Sequence, residues 1–237
     1  MAITKKTRQV NKELKADPNN LDLQVELATL MIDGASYEDA IKMLMAIRNK
    51  RPKDAKVYKL LGTAYVLFNH EEEAMLEMNR ACELDPSDAE NHFNLGGLYL
   101  LRDMYLNAAT SFEKVIELDP TDTTAYANLA AAYDMLKLYD KEIVALKKVL
   151  MFNPEDKELR AALSNAYFHA ERYEEAIDAA LCVVDIDDKD TQAYCNLGSC
   201  YSVTSMIDDA IKAFKKASEL APDYSLPHTN LGTLYAN

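Results

Sequence analysis

Apolar residues recur along this chain at helical spacing, broken at regular intervals by short polar stretches. Between residues 88 and 102, Phe93, Leu95, Leu98 and Tyr99 fall at the spacing of an amphipathic helix. A break at Arg102, Asp103 and Met104 follows, and a second helix is predicted from about Tyr105 through Leu118. Its inward residues are Ala108, Ala109, Phe112, Val115 and Ile116. Asp119 and Pro120 stop it, because a residue that precedes proline is pushed out of the α region. This one stretch predicts two helices joined by a tight turn.

The pattern repeats. Pro18, Pro52, Pro86, Pro120 and Pro154 stand 34 residues apart, and Pro222 follows 68 residues later. The skipped place holds Asp188, and Pro227 alone lies off the grid. Leu27, Leu61, Leu95, Leu129, Leu163, Leu197 and Leu231 keep the same step of 34. Each is followed by a small residue: Ala28, Gly62, Gly96, Ala130, Ser164, Gly198 and Gly232. Tyrosine recurs from Tyr65 to Tyr235, with Met31 in the first such place. A second small place holds Ala40, Ala74, Ala108, Ala176 and Ala210, and Glu142 is its exception. Small residues let two helices approach closely, while leucines and tyrosines fill the space between neighbours.

A 34-residue unit with small residues at two fixed places and a closing proline resembles the tetratricopeptide repeat. The resemblance covers residues 21–237 and implies an all-α, right-handed superhelical solenoid of antiparallel helix pairs. Six full repeats fit, at 21–54, 55–88, 89–122, 123–156, 157–190 and 191–224. Residues 225–237 supply the first helix of a seventh, and residues 1–20 read as a partial N-terminal repeat or a tail. The family's opening aromatic place is held by Gln24, Tyr58, His92, Tyr126, Arg160, Tyr194 and His228, so the first and fifth repeats are the least typical. A solenoid ends in polar caps, and the bare helix at 225–237 reads as a cut end or as an end that another chain covers.

The resemblance implies that the first helices line a concave groove that binds partners. The sixth residue of each repeat reads Glu26, Leu60, Asn94, Asn128, Ala162, Asn196 and Asn230. Asparagine is a mediocre helix former, but its amide can pair with the backbone of an extended peptide of any sequence. The row resembles the asparagine ladder of protein O-linked N-acetylglucosamine transferases, interrupted by Ala162; the alternative is that asparagine is simply common at this place. The candidate peptide-binding residues are Asn94, Asn128, Asn196, Asn230, Lys59, Phe93, Leu100 and Phe168, the last three with apolar side chains that could anchor a partner. Cys195, Leu67, Leu101 and Met135 fall on the same predicted face. Chaperone-binding members of the family hold a C-terminal carboxylate with two lysines, two asparagines and an arginine. Lys59 and Asn94 fit that clamp, but Thr63, Thr124 and Asn128 replace its other members, which argues against a co-chaperone role.

Composition narrows the partners. Lys+Arg 26 against Asp+Glu 39 gives a net charge of −13, which repels a phosphate backbone and argues against nucleic acid. No apolar run is long enough for a membrane span, and the N-terminus has no secretory pattern. Cys82, Cys182, Cys195 and Cys200 form no C-x-x-C pair and read as free thiols of a reducing compartment, which points to the cytoplasm. No nucleophile motif, phosphate loop or metal-ligand spacing is present, so no catalytic residue, metal or cofactor is expected. His92 and His228 sit in the packing place, and the Asp187–Asp190 stretch lacks the glycine and glutamate of a calcium loop. The reading is a non-catalytic scaffold that binds a protein or peptide in its groove. Two alternatives stand beside it: a self-assembling scaffold or coat that forms a homo-oligomer through solenoid ends or its convex face, and a regulatory fragment of a larger multidomain enzyme.

Overall fold

A computed structural model of the chain describes the backbone of residues 2–236 and the side chains of residues 5–236. The described residues form α-helices and no strand. They fall into two compact units, residues 1–120 and 121–237.

The N-terminal unit holds α1 (Ala2–Ala16), α2 (Leu21–Asp33), α3 (Tyr37–Lys50), α4 (Ala55–Leu67), α5 (Glu71–Leu84), α6 (Ala89–Leu101) and α7 (Tyr105–Leu118). Helices adjacent in sequence pack together, α2 with α3, α4 with α5 and α6 with α7. Its main core gathers Leu44, Ile47, Val57 and Leu61 from α3 and α4. Val10 of α1 is buried against Leu27 and Leu30 of α2. The C-terminal unit holds α8 (Thr123–Met135), α9 (Tyr139–Leu150), α10 (Lys157–His169), α11 (Tyr173–Ile186), α12 (Thr191–Val203), α13 (Ile207–Leu220) and α14 (Ser225–Ala236). Its pairs are α8 with α9, α10 with α11 and α12 with α13, and α14 lies on α13. Leu146, Leu163, Ala166 and Tyr167 form its largest core cluster.

Small residues set the distance within a pair. A methyl group on Gly96 would come within 2.9 Å of the Phe112 ring, and one on Gly198 within 2.7 Å of Phe214. Both rings are fully buried. Where serine takes the place, Ser164 Oγ donates to the Ala176 carbonyl at 2.9 Å and holds α10 to α11 by a hydrogen bond.

The turn inside each pair has one backbone form. Ala35, Asn69, Asp103, Lys137, Glu171 and Ser205 all have φ between 55° and 62°. The next residue's N–H reaches back to the helix, as in Met104 to the Tyr99 carbonyl at 2.8 Å and Arg172 to Tyr167 at 2.9 Å. This is a Schellman closure, which usually carries glycine at the left-handed residue. Here no glycine occupies it, at a cost of about 1 kcal/mol per turn.

Aspartate starts most first helices. Asp122, Asp156 and Asp190 accept the N–H of Ala125, Leu159 and Ala193 at 2.9, 3.0 and 2.9 Å, which satisfies an orphan donor of the first turn. At the place expected to be aromatic, five of the seven residues share a different property. Gln24, Tyr58, His92, Arg160 and His228 each bond the carbonyl of the proline six residues before, at 2.6–3.2 Å. A polar group of that reach ties these five helix starts to the chain that enters them.

Glu142 occupies a place that alanine fills in the other repeats. It is 6% exposed, and its Oε2 has no hydrogen-bond partner. Burial, reinforced by the charge of Asp134, pushes its carboxyl up to about 7. A carboxyl raised in the folded state is protonated there while the unfolded chain has already ionised. Its effect on stability therefore worsens as pH rises from about 4.5 to about 7 and is complete above that. Glu142→Ala should raise the melting temperature at pH 8 by an amount equivalent to roughly 2–3 kcal/mol, and the gain should shrink at pH 5; thermal unfolding at both pH values checks it. Lys137→Gly should relieve the left-handed strain and stabilise by about 0.5–1 kcal/mol, measured by urea unfolding.

Candidate functional site

In the N-terminal unit a cavity of about 300 Å³ opens along the seam of α4 and α6. Thr63, Val66 and Leu67 of α4 face Asn94, Gly97 and Leu101 of α6 across it, with Phe93 at its edge and Met78 and Leu98 at its base. Residues three and four apart share a helix face, so each helix contributes one stripe. The lining is mostly apolar, and Leu67 and Leu101 are 47% and 70% exposed. Phe93 is held edge-on by Phe112, with ring centroids 5.6 Å apart. The amide of Asn94 is half-buried and makes no hydrogen bond to another described residue.

Two charged clusters flank the seam. One turn before Thr63, Lys59 Nζ lies 3.1 Å from Asp88 Oδ2 and also bonds Glu90. Burial alone would pull the Lys59 ammonium down, but Glu90 and Asp88 outweigh it and raise its pKa. Beyond Leu101, Arg102 reaches Glu71 and Glu72, both at 3.3 Å. Each cation is shared by two carboxylates, so Lys59 is not free to hold a partner's carboxylate.

The other predicted residues are placed differently. Leu100 is half-buried and lies off the cavity, whose outer wall is Leu101 instead. The series 94, 97, 98 and 101 carries that distinction, because residue 100 is turned away from residue 94 by about a third of a turn. In the C-terminal unit, Asn196 donates from Nδ2 to Asn165 Oδ1 at 2.7 Å and accepts from Gln192 at 2.9 Å. Asn165, on the preceding first helix, was not singled out by sequence. The amides of Asn128 and Asn230 make no hydrogen bond to another described residue. Phe168 packs on the core of its unit, with its ring 5.5 Å from Tyr173 and 5.8 Å from His169. Cys195, expected on the groove face, is 1% exposed.

Two of the thiols and two of the histidines are engaged in packing. Burial pushes the Cys82 and Cys200 thiols up to about 11, which keeps them protonated and poor nucleophiles near neutrality. His70 stacks on Phe68 at 4.9 Å and His169 on Tyr139 at 5.0 Å. Among the described residues, no three His, Cys, Asp or Glu side chains come together to hold a metal ion, and no helix is long and apolar enough to cross a membrane.

Family models described as tetratricopeptide repeat match residues 191–224, residues 55–88 and 89–122, residues 11–64 and residues 111–143. Together they span well over half of the chain. The chain belongs to the tetratricopeptide repeat family. Among solved structures, MamA is 26% identical, with 68% of this chain and 94% of that chain covered and a TM-score of 0.60. A MamA structure from Desulfovibrio magneticus RS-1 gives 25% identity, 70% and 94% coverage and a TM-score of 0.60. YrrB, described as a TPR protein with an unusual peptide-binding site, shares the fold at 22% identity, 78% and 96% coverage and a TM-score of 0.68. No curated protein matches the chain. Tetratricopeptide repeat proteins are in general protein–protein interaction scaffolds without catalysis of their own.

Adjacent glycines of α6 should respond in opposite ways. Gly96→Ala forces a methyl into the Phe112 ring and should destabilise by about 1–3 kcal/mol. At Gly97 a methyl meets nothing within 4 Å, so Gly97→Ala should stabilise by about 0.5–1 kcal/mol. Urea unfolding of both variants against wild type measures the two signs.

Proposed function

We propose that this chain is a non-catalytic scaffold that takes a peptide segment of a partner protein against the first-helix faces of its repeats. The observation that carries the reading is the uncommitted amide of Asn94 beside an open, largely apolar cavity between α4 and α6. An amide without a partner can donate to and accept from a peptide backbone, and an apolar recess next to it can bury a side chain of the same segment. Asn128 and Asn230, also uncommitted, hold the same sixth place in two repeats of the C-terminal unit and offer a peptide backbone the same pairing there. Asn196, tied to Asn165, would need to break a 2.7 Å hydrogen bond to take part, and contributes less.

The test is a pull-down from source lysate with wild type and with an Asn94→Ala, Asn128→Ala double variant, read by mass spectrometry. Both residues are half-buried on helix surfaces, and alanine is the better helix former, so circular dichroism should be unchanged. Partners recovered by wild type should be lost from the variant. Equal recovery by both proteins would move binding away from these faces and overturn the proposal.

A further inference from the structure

Gly97 has no structural reason to be glycine. It lies inside α6, where glycine is unfavourable relative to alanine, and its backbone is helical. Gly62, Gly96 and Gly198 each face a side chain closer than 3 Å to where a methyl would sit, which explains them by close packing; nothing lies within 4 Å of that point at Gly97. The ninth place of the other repeats holds Thr29, Thr63, Ala131, Asn165, Ser199 and Thr233, all with side chains. What the missing side chain leaves open is the cavity between α4 and α6, in the same stripe as Asn94 and Leu101.

We propose that Gly97 is a specificity-determining residue: it keeps this cavity open for one bulky apolar side chain, of leucine, methionine or phenylalanine size, in a peptide that carries lysine or arginine beside it. The inference rests on the peptide-binding reading above and names the chemistry of the peptide. Size supports the anchor, since a cavity of about 150 Å³ lined by apolar groups already holds a benzene ring, and this one is about 300 Å³. Charge supports the flanks. The clusters at either end of the seam, Lys59 with Asp88 and Glu90, and Arg102 with Glu71 and Glu72, each carry one more carboxylate than cation. Across α4 to α7, residues 55–118, the cations are Lys56, Lys59, Arg80, Arg102 and Lys114, against eleven carboxylates. A basic peptide is drawn to such a surface and an acidic one is rejected.

A random peptide library displayed on phage, selected on the full chain, provides the probe. Synthetic copies of the enriched peptides are then titrated by fluorescence anisotropy against wild type, Gly97→Ala, Gly97→Leu and the Asn94→Ala, Asn128→Ala variant. The expected peptides share one large apolar residue next to Lys or Arg. Gly97→Leu should weaken them at least about tenfold by filling the cavity, and Gly97→Ala much less, with circular dichroism unchanged in both. Enriched peptides that lack a large apolar residue, or that bind Gly97→Leu as tightly as wild type while failing on the asparagine variant, would overturn the role of Gly97 and leave the binding reading standing. Failure to enrich any peptide, or binding indifferent to all three variants, would overturn both. A dimer of the free chain that Gly97→Leu dissolves, read by sedimentation, would give the cavity to a second copy and overturn the peptide assignment.

Discussion

The close approach of two helices within each pair is the contact on which the rest depends. Phe112 lies over Gly96 and Phe214 over Gly198 without room for a methyl group between them. That contact fixes the separation of the pair, while the left-handed turn, the aspartate cap and the bond to the proline carbonyl are closed locally by residues three to six apart in sequence. Within each unit it also leaves a pair with an apolar flank that the next pair covers, as α4 does for α3 and α12 for α11, so stability is built from neighbour to neighbour. Where the small place is violated, by Glu142, the fold accepts a buried carboxyl oxygen without a partner.

Much of this was legible because the repeat forces each role to recur at the same place. The period, the pairing of helices and the small places all follow from residues that must be small or apolar wherever they occur. The turn was not legible: Ala, Asn, Asp, Lys, Glu and Ser fill its left-handed position, and none of them spells that conformation in sequence. The opening aromatic place misled in a different way. Gln24 and Arg160 look like departures, yet they reach the same proline carbonyl as Tyr58 and His92. What the place selects is reach with a polar end, which a pattern of aromatic residues conceals.

The candidate site was legible in position and less so in state. The sixth place of each repeat is set by the period, but whether its amide is available depends on one residue of the preceding first helix. Asn165 occupies Asn196, while Asn94 has only Thr63 in the equivalent place, whose hydroxyl is spent on the Lys59 carbonyl at 3.0 Å. Lys59 shows the same limit for charge. Its place suggested an anion contact, and the anions it holds are the chain's own. Lys157 is likewise shared by Asp187 and Asp190, at 2.8 and 3.2 Å. A chain of net charge −13 thus meets part of its acid excess by bridging one cation between two carboxylates, an arrangement that salt would loosen.

The left-handed turn has a consequence for how such a chain can diverge. Its geometry is imposed by the helices on either side and not by glycine, so the side chain there answers to no packing demand. When repeats arise by copying, that place can drift through neutral, acidic and basic residues while the helices around it keep register. Each copy thereby acquires its own exposed mark at a constant address, from Asn69 and Asp103 to Lys137 and Glu171, and repeats alike in their interiors become distinguishable from outside.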